Sequence, residues 1–346
     1  MAQYPLALIL LTLLGCPSPD DTHEPVAVHP HTPPPWLWQA QHLTVAPDRG
    51  LVFEIDEDFE IVDRTVPQLY VLPDGRFGML VTRMGSSEEH WARTVLYSDD
   101  GLTWTDGEPL LWPDDFEQNC GNRLQDGAVW IQDEQTYRFV MEGFYDQAKQ
   151  GEQPLEETFL CHGTTTDGAS FELSDDYFWT GELEDECNSV LSALTLESGL
   201  GLFFYNGDLT RLSDEGPGIR AFTADPETLA IEVQTPAPLL PWYHVDPNPL
   251  FLEGGGLRLY HTWFAEEHGG PLAGTGLGAV DLDEDLNAIG EPVLVLEAIG
   301  DEQEGDKPMD PTLLQLSDGR LVLYYTSFVR EPGVAYARIR RAFAVD

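Results

Sequence analysis

A unit of about sixty residues recurs five times in this chain of 346 residues, and each copy reads as four short strands. The sequence therefore predicts an all-β fold: a five-bladed β-propeller, four antiparallel strands per blade, its ring closed by the N-terminal strand in the last blade. Composition agrees. Glycine (32), proline (26) and aromatic residues (11%) are plentiful, and no long apolar run has a helical period.

The units open with "VPQLYVLPDGRFGMLVT" from Val66, "DGAVWIQDEQTYRFVMEG" from Asp126, "NSVLSALTLESGLGLFFYNG" from Asn188, "DPNPLFLEGGGLRLYHTW" from Asp246 and "DPTLLQLSDGRLVLYYTS" from Asp310. Each is a short apolar strand, a tight turn, then an alternating strand that ends in polar residues. The starts are spaced by 60, 62, 58 and 64 residues. A β-sandwich, the rival architecture, would not repeat its turns at a fixed period. Ring closure follows from the chain ends. "GVAYARIRRAFAV" supplies the third strand of the last unit and "FEIVD" (Phe59 to Asp63) its outermost strand, so residues 53–63 are expected in the sheet formed by 309–342.

A turn motif closes each unit. "SDDGLTW" (Ser98 to Trp104) is matched by "TTDGASF" (Thr165 to Phe171) and in part by "TADPETL" (Thr223 to Leu229), with weaker echoes near Asp283 and Asp58. The Asp is suited to accept backbone N–H bonds, the Gly supplies positive φ, and the aromatic packs back between sheets. The motif is one residue shorter than the sialidase-type box and reads as structural. Asp100 and Asp167 should therefore matter to stability rather than to activity.

The charge is lopsided, with 61 acidic residues against 17 basic ones and a net of −44. Such a surface repels nucleic acid and anionic headgroups, which excludes both as partners, and it suits a soluble protein in a salty medium. The first residues, "MAQYPLALILLTLLGC", hold an apolar run too short to span a bilayer and lack the usual basic flank. Leu13 to Cys16, "LLGC", resembles the lipobox of bacterial lipoproteins, with an ordinary cleaved signal or a mistaken start as alternatives. Residues 1–16 are thus expected to be a lipoprotein signal peptide, residues 17–40 a Pro-rich linker and residues 41–346 the propeller. That places a monomer in the cell envelope, at the outer membrane or surface, held to the membrane through lipidated Cys16. His23, His29 and His31 fit a solvated linker better than a metal site. Of the remaining thiols, Cys120 and Cys187 just precede inner strands of adjacent units and are expected to bridge, whereas Cys161 lies in the buried strand "TFLCHGT". No CxxC spacing exists, so no cysteine zinc site is expected.

In a propeller the first strand of every blade lines the axis, so the residues that open the units should converge on one solvent-accessible funnel: Val66, Asp126, Asn188, Asp246 and Asp310. The second strands should bring Glu142, Asn206, His261 and Thr326 alongside. Three carboxylates at equivalent positions suit glycosidic cleavage, which needs an acid and a facing second carboxylate. Alternatively, Asp at these positions caps strand starts or satisfies buried amides. The candidates are Asp126, Glu186 and Asp310 for catalysis, with Asp246, Glu142, Asn188, His261 and Trp263 for substrate contact. No cofactor is called for. A calcium ion near the axis, held by Asp carboxylates beside His261, is the single metal the pattern would accommodate.

Over residues 50 to 346 the "DP…DG…YYT" and "SDDGLTW" units resemble the five-bladed propeller glycosidases: arabinanases and xylosidases on one side, invertases and levansucrases on the other. The arabinanase pattern implies a basic Asp, a modulating Asp and an acid Glu at Val66, Asp126 and Asn188, and two of the three are replaced. The invertase pattern implies an Asp nucleophile, an Arg-Asp-Pro and a Glu-Cys. Gln125 to Gly127 and Glu186–Cys187 echo the last two, with Gln in place of Arg, and Val66 stands where the nucleophile belongs. Two functions follow: a glycoside hydrolase with a rearranged carboxylate set, or a catalytically silent glycan-binding or surface interaction lipoprotein.

Overall fold

The computed structural model describes residues 31–345 apart from 84–91, 110–122, 145–157, 169, 180–188, 198–200, 207–217, 226–227, 229–230, 235–237, 242, 265–274, 284, 299–305 and 332–333. Those residues form strands and turns with one 3-10 turn, Ala40–His42, and no α-helix among them.

Five sheets follow one another along the chain. Sheet I holds β3 (Arg64–Val71), β4 (Phe77–Arg83), β5 (Ala92–Ser98) and β6 (Thr105–Pro109). Sheet II holds β7 (Arg123–Ile131), β8 (Tyr137–Phe144), β9 (Thr158–Thr165) and β10 (Glu172–Trp179). Sheet III holds β11 (Ser189–Thr195), β12 (Gly201–Asn206), β13 (Gly218–Ala224) and β14 (Ile231–Gln234), with β15 (Leu240–Pro241) beside β13. Sheet IV holds β16 (His244–Leu252), β17 (Leu257–Trp263), β18 (Gly276–Leu282) and β19 (Ala288–Leu296), with β1 (Thr44–Val45) parallel to β16. Sheet V holds β20 (Asp306–Gln315), β21 (Leu321–Glu331) and β22 (Val334–Ala344), and β2 (Phe53–Val62) pairs antiparallel with β22. The first strands of successive sheets touch: β3 with β7, β7 with β11, β11 with β16, β16 with β20 and β20 with β3.

Charge fixes the register of the β2–β22 pair. Arg338, Arg340 and Arg341 meet Glu60, Glu57 and Asp56 at 2.7, 3.2 and 2.5 Å. A slip of one residue would turn every arginine to the other face. Between the sheets, aliphatic and aromatic side chains such as Leu80, Phe139, Ile219, Leu259 and Leu323 are wholly buried and supply the core.

The turn motif folds as its chemistry requires. Asp100 Oδ1 accepts from the amides of Leu102 and Thr103, each at 2.8 Å, and the Gly101 amide donates to Ser98 Oγ at 2.9 Å. Asp167 and Thr165 repeat the pattern around Gly168. Gly101 and Gly168 sit at φ 72° and 71°, where a Cβ would be strained. Each glycine carbonyl is then gripped by a neighbouring sheet: Tyr324 OH donates to Gly101 O and Tyr70 OH to Gly168 O, both at 2.7 Å.

The chain before β2 is a strap. Gln39 Nε2 donates to Val71 O in sheet I (2.8 Å), the Glu197 amide just past β11 of sheet III donates to Thr32 O (2.9 Å), and the Phe251 amide in sheet IV donates to Leu43 O (2.8 Å). His42 Nδ1 bonds Gln315 O in sheet V (2.5 Å) and Trp38 packs edge-on against Tyr137 of sheet II. Arg258 clamps its far end, with bonds to the carbonyls of Arg49 and Pro47 and a bidentate pair with Asp281. The Pro-rich stretch up to residue 40 reads as a free linker in sequence. Its last ten residues, from His31, belong to the folded body, because apolar Leu37 and polar Gln39 both find buried partners there.

Candidate functional site

The pairing of first and second strands fixes which residues are equivalent. Val71, Ile131, Phe251 and Gln315 pair with the first residues of β4, β8, β17 and β21, and Thr195 pairs with the first residue of β12. Counting back five residues from each gives Val66, Asp126, Val190, Asp246 and Asp310. Asn188, expected to open the third unit, stands two residues too early and lies outside the described residues. The second-strand equivalents, counted in the same way, are Thr82, Glu142, Asn206, Thr262 and Thr326. His261 is one residue out of register and therefore points to the opposite face.

Every first strand carries a bulge near its start, between Thr65 and Gln68, Leu124 and Gly127, Ser189 and Ser192, Val245 and Asn248, and Met309 and Thr312. Val66, Asp246 and Asp310 occupy it at φ 50°, 55° and 52°. Aspartate tolerates this left-handed region, whereas a β-branched valine there is strained. Strain of this kind persists where the surroundings over-determine it, and functional sites concentrate it.

The bulges are stitched across sheets by the second-strand threonines. The Asp310 amide donates to Thr262 Oγ1 at 3.1 Å, and the Val66 amide donates to Thr326 Oγ1 at 2.8 Å. Thr262 Oγ1 in turn donates to Asp246 Oδ2 at 2.5 Å, an oxygen that also faces the Asp310 amide at 3.3 Å. The Asp310 carboxyl is hydrogen-bonded to Thr326 and Asp246. Burial pushes its pKa up to about 6, against the opposing pull of those bonds and of the Arg93 guanidinium. Two carboxyls in contact, one titrating near neutrality, make a proton donor and an acceptor available at one place.

Both acids are enclosed. Asp246 is 4% exposed and Asp310 7%, so the open funnel expected for them is absent at these two positions. A cavity of about 40 Å³ lies between Gln68, Ser192, Asn248 and Thr312, floored by Leu37, Gln39 and Leu43 of the strap. At about 10–15 Å³ for each water it holds a few waters and no sugar ring.

His261 belongs to a separate cluster on the other face of β17. Its Nδ1 lies 3.1 Å from His244 Nδ1, and the Trp263 ring, half-buried, packs against both imidazoles. Burial holds His244 down to about 2, helped by His261, and burial holds His261 down to about 4, so both rings are neutral at physiological pH. Gly278 leaves room for the His261 ring, since a Cβ there would lie 2.3 Å from its Cε1. No group of three or more His, Cys, Asp or Glu among the described residues is arranged to hold a metal, so a calcium beside His261, which the sequence pattern would accommodate, has no ligand set among them.

Asp126 and Glu142 stand on β7 and β8 at the register positions of Asp310 and Thr326, and Glu186 lies outside the described residues. Cys161, expected as the free thiol of a buried strand, is disulfide-bonded. Cys120 and Cys187, expected to bridge, lie outside the described residues. The sequence reading missed Thr262 and Thr82, which a strict count from the turns would have found. It also missed Arg93, whose signal is a charge in an otherwise apolar strand.

No family model matches the sequence, and no curated protein does. Solved structures do. A thermostable family-43 glycoside hydrolase superposes with a TM-score of 0.63 at 11% identity, covering 84% of this chain and 92% of that one. A protein described as a glycoside hydrolase gives 0.58 at 11% identity over 90% of this chain and 92% of its own. The xylan beta-1,4-xylosidase of Bacillus halodurans C-125 gives 0.59 at 11% identity, with 84% of this chain and 54% of that chain covered. These likenesses are of fold alone: the chain is an all-β protein whose fold is similar to that of solved glycoside hydrolase structures.

Proposed function

We propose that this protein engages carbohydrate at the strand-start end of a five-bladed propeller and hydrolyses glycosidic bonds there with a rearranged carboxylate set. The observation that carries this is the Asp246–Asp310 pair, two buried acids side by side, of which burial favours the protonated form of Asp310 as a general acid requires. Asp126, Glu186 and Asp310 are the catalytic candidates, with Asp246, Glu142 and Asn188 as candidates for substrate contact, whereas His261 and Trp263 belong to the cluster on the other face of β17. Fold alone assigns no chemistry, so the assignment rests on these groups. Closure of the ring is part of the reading. It is supported by the β2–β22 pairing and by the contact of β20 with β3. Export as a lipoprotein anchored through Cys16 is its cellular setting, supported by the "LLGC" motif.

A second reading, a silent glycan binder, is favoured by one observation. Valine holds two of the five bulge positions, Val66 and Val190, and the acids at Asp246 and Asp310 are buried. The test is reducing-sugar release and binding on a panel of plant and microbial polysaccharides, with wild type, Asp126→Asn and Asp310→Asn. Turnover lost in either variant supports hydrolysis. Binding without turnover, lost in the variants, supports the silent binder. Binding and turnover untouched by both substitutions would remove the bulge carboxylates from the function.

A further inference from the structure

Arg93 breaks the repeat at a telling place. It pairs with Thr82 across β4 and β5, and the residues that pair with Glu142, Asn206, Thr262 and Thr326 are Leu160, Ile219, Leu277 and Ile339. Four sheets thus place an aliphatic side chain there, and sheet I places a guanidinium. Sheet I is also the sheet whose bulge holds Val66 instead of an acid and whose first strand lies beside sheet V. Arg93 is wholly buried, and a charge so placed is costly unless an opposite charge balances it. Its Nη1 donates to Thr82 Oγ1 at 2.6 Å and reaches Val66 O at 3.4 Å, the carbonyl of the residue whose amide is held by Thr326. Thr326 in turn bonds the Asp310 carboxyl.

We propose that Arg93 is a positioning residue for the Asp246–Asp310 pair, a buried cation in sheet I that balances one negative charge on the pair across the seam with sheet V. The charged groups acting on Asp310 are Asp246 from β16 and Arg93 from β5, with the Thr326 hydroxyl of β21 as its neutral partner. Two carboxyls, one guanidinium and one shared proton sum to neutrality, which is what a site of this depth can hold. The arrangement accords with a neutral residue at the bulge of sheet I, Val66. A third carboxyl there would leave an extra negative charge without a second cation among these groups. The proposal rests on reading the pair as the working acid of the site. Its test, however, reads charge rather than turnover, so an absence of glycan activity leaves it intact.

The experiment is the melting temperature of the full chain from pH 5 to pH 8 for wild type, Arg93→Met, Arg93→Gln and Arg93→Lys, each with and without Asp310→Asn. Without the guanidinium, the pair carries one uncompensated negative charge while Asp310 is protonated and two once it ionises. The loss for Arg93→Met and Arg93→Gln is therefore expected to be at least twice as many degrees at pH 8 as at pH 5. Arg93→Lys should keep the wild-type pH profile, and Asp310→Asn should make the loss equal at both pH values. A variant that fails to fold at pH 8 should still fold at pH 5. A loss independent of pH, a loss unchanged by Asp310→Asn, or failure to fold at both pH values would each overturn the proposal and leave Arg93 as packing alone.

Discussion

The two ends of the inner strands solve the same backbone problem in opposite ways. At the strapped end the chain turns through left-handed residues that are glycines, such as Gly75 at φ 87° and Gly319 at φ 85°. There the carboxylates of Asp74 and Asp318 satisfy the turn amides at Arg76 and Arg320. At the bulged end the left-handed residues are Val66, Asp246 and Asp310, buried, stitched to neighbouring sheets and, at Asp310, shifted in proton affinity. Along β16 the two ends are roughly 17–20 Å apart at about 3.3 Å for each residue. One end relieves strain at glycines and pairs its charges, the buried Arg258 with Asp281 included. The other keeps strain and charge inside. On the function proposed above, the bulged end serves glycan recognition and the strapped end serves stability.

The largest effect that could break this contrast is at Arg258. Arg258→Met would leave Asp281 and the strap carbonyls of Pro47 and Arg49 without their donor, and a loss of about 3 kcal/mol is expected by denaturant unfolding. Next comes Gly168→Ala. A Cβ there would lie 2.4 Å from Leu72 Cδ2 at φ 71°, so about 2 kcal/mol should be lost by the same measurement. Asp100→Ala removes the acceptor of a surface turn and should lose about 1–2 kcal/mol. A cost at any of these sites that appeared in glycan affinity rather than in stability would undo the assignment of the strapped end.

A further effect lies in the pH profile. His244 and His261 are held neutral below their ordinary values, so the unfolded chain binds more protons. Their contribution is full above about 6.5 and is lost as pH falls below it. Asp310 acts in the opposite sense. Its raised carboxyl favours the folded state most below the ordinary carboxylate value, and that advantage is lost as pH rises to about 6. Asp310→Asn should therefore gain stability relative to wild type between about pH 4 and 6, with a level difference above. Melting curves of the two proteins at half-unit pH steps read it directly.

How much of this the sequence carries depends on the range of the interaction. The boxes around Asp100 and Asp167 are legible because a turn is a local event in which residue type dictates φ and the hydrogen bonds span three or four residues. The spacing of the units is legible for the same reason. The bulged end is less so. Counting forward from a strand start put the third unit at Asn188 instead of Val190, because the loops before it differ in length. Choosing His261 over Thr262 is a slip of one residue, which in a strand selects the opposite face. The strap is hidden because its partners, Val71, Glu197, Phe251 and Gln315, are brought together by the tertiary fold alone. Arg93 was visible in principle as a charge within "ARTVLYS", but its meaning needs the comparison with Leu277 and Ile339 that strand pairing provides.

The most direct test of the division between the two ends compares Asp310→Asn with Asp100→Ala on a polysaccharide that the wild type engages, measuring affinity or turnover together with melting temperature. The account predicts that Asp310→Asn abolishes binding or turnover while the protein melts no lower than wild type near pH 7, and that Asp100→Ala melts several degrees lower with affinity intact. Loss of glycan recognition in Asp100→Ala, with Asp310→Asn indistinguishable from wild type, would contradict it.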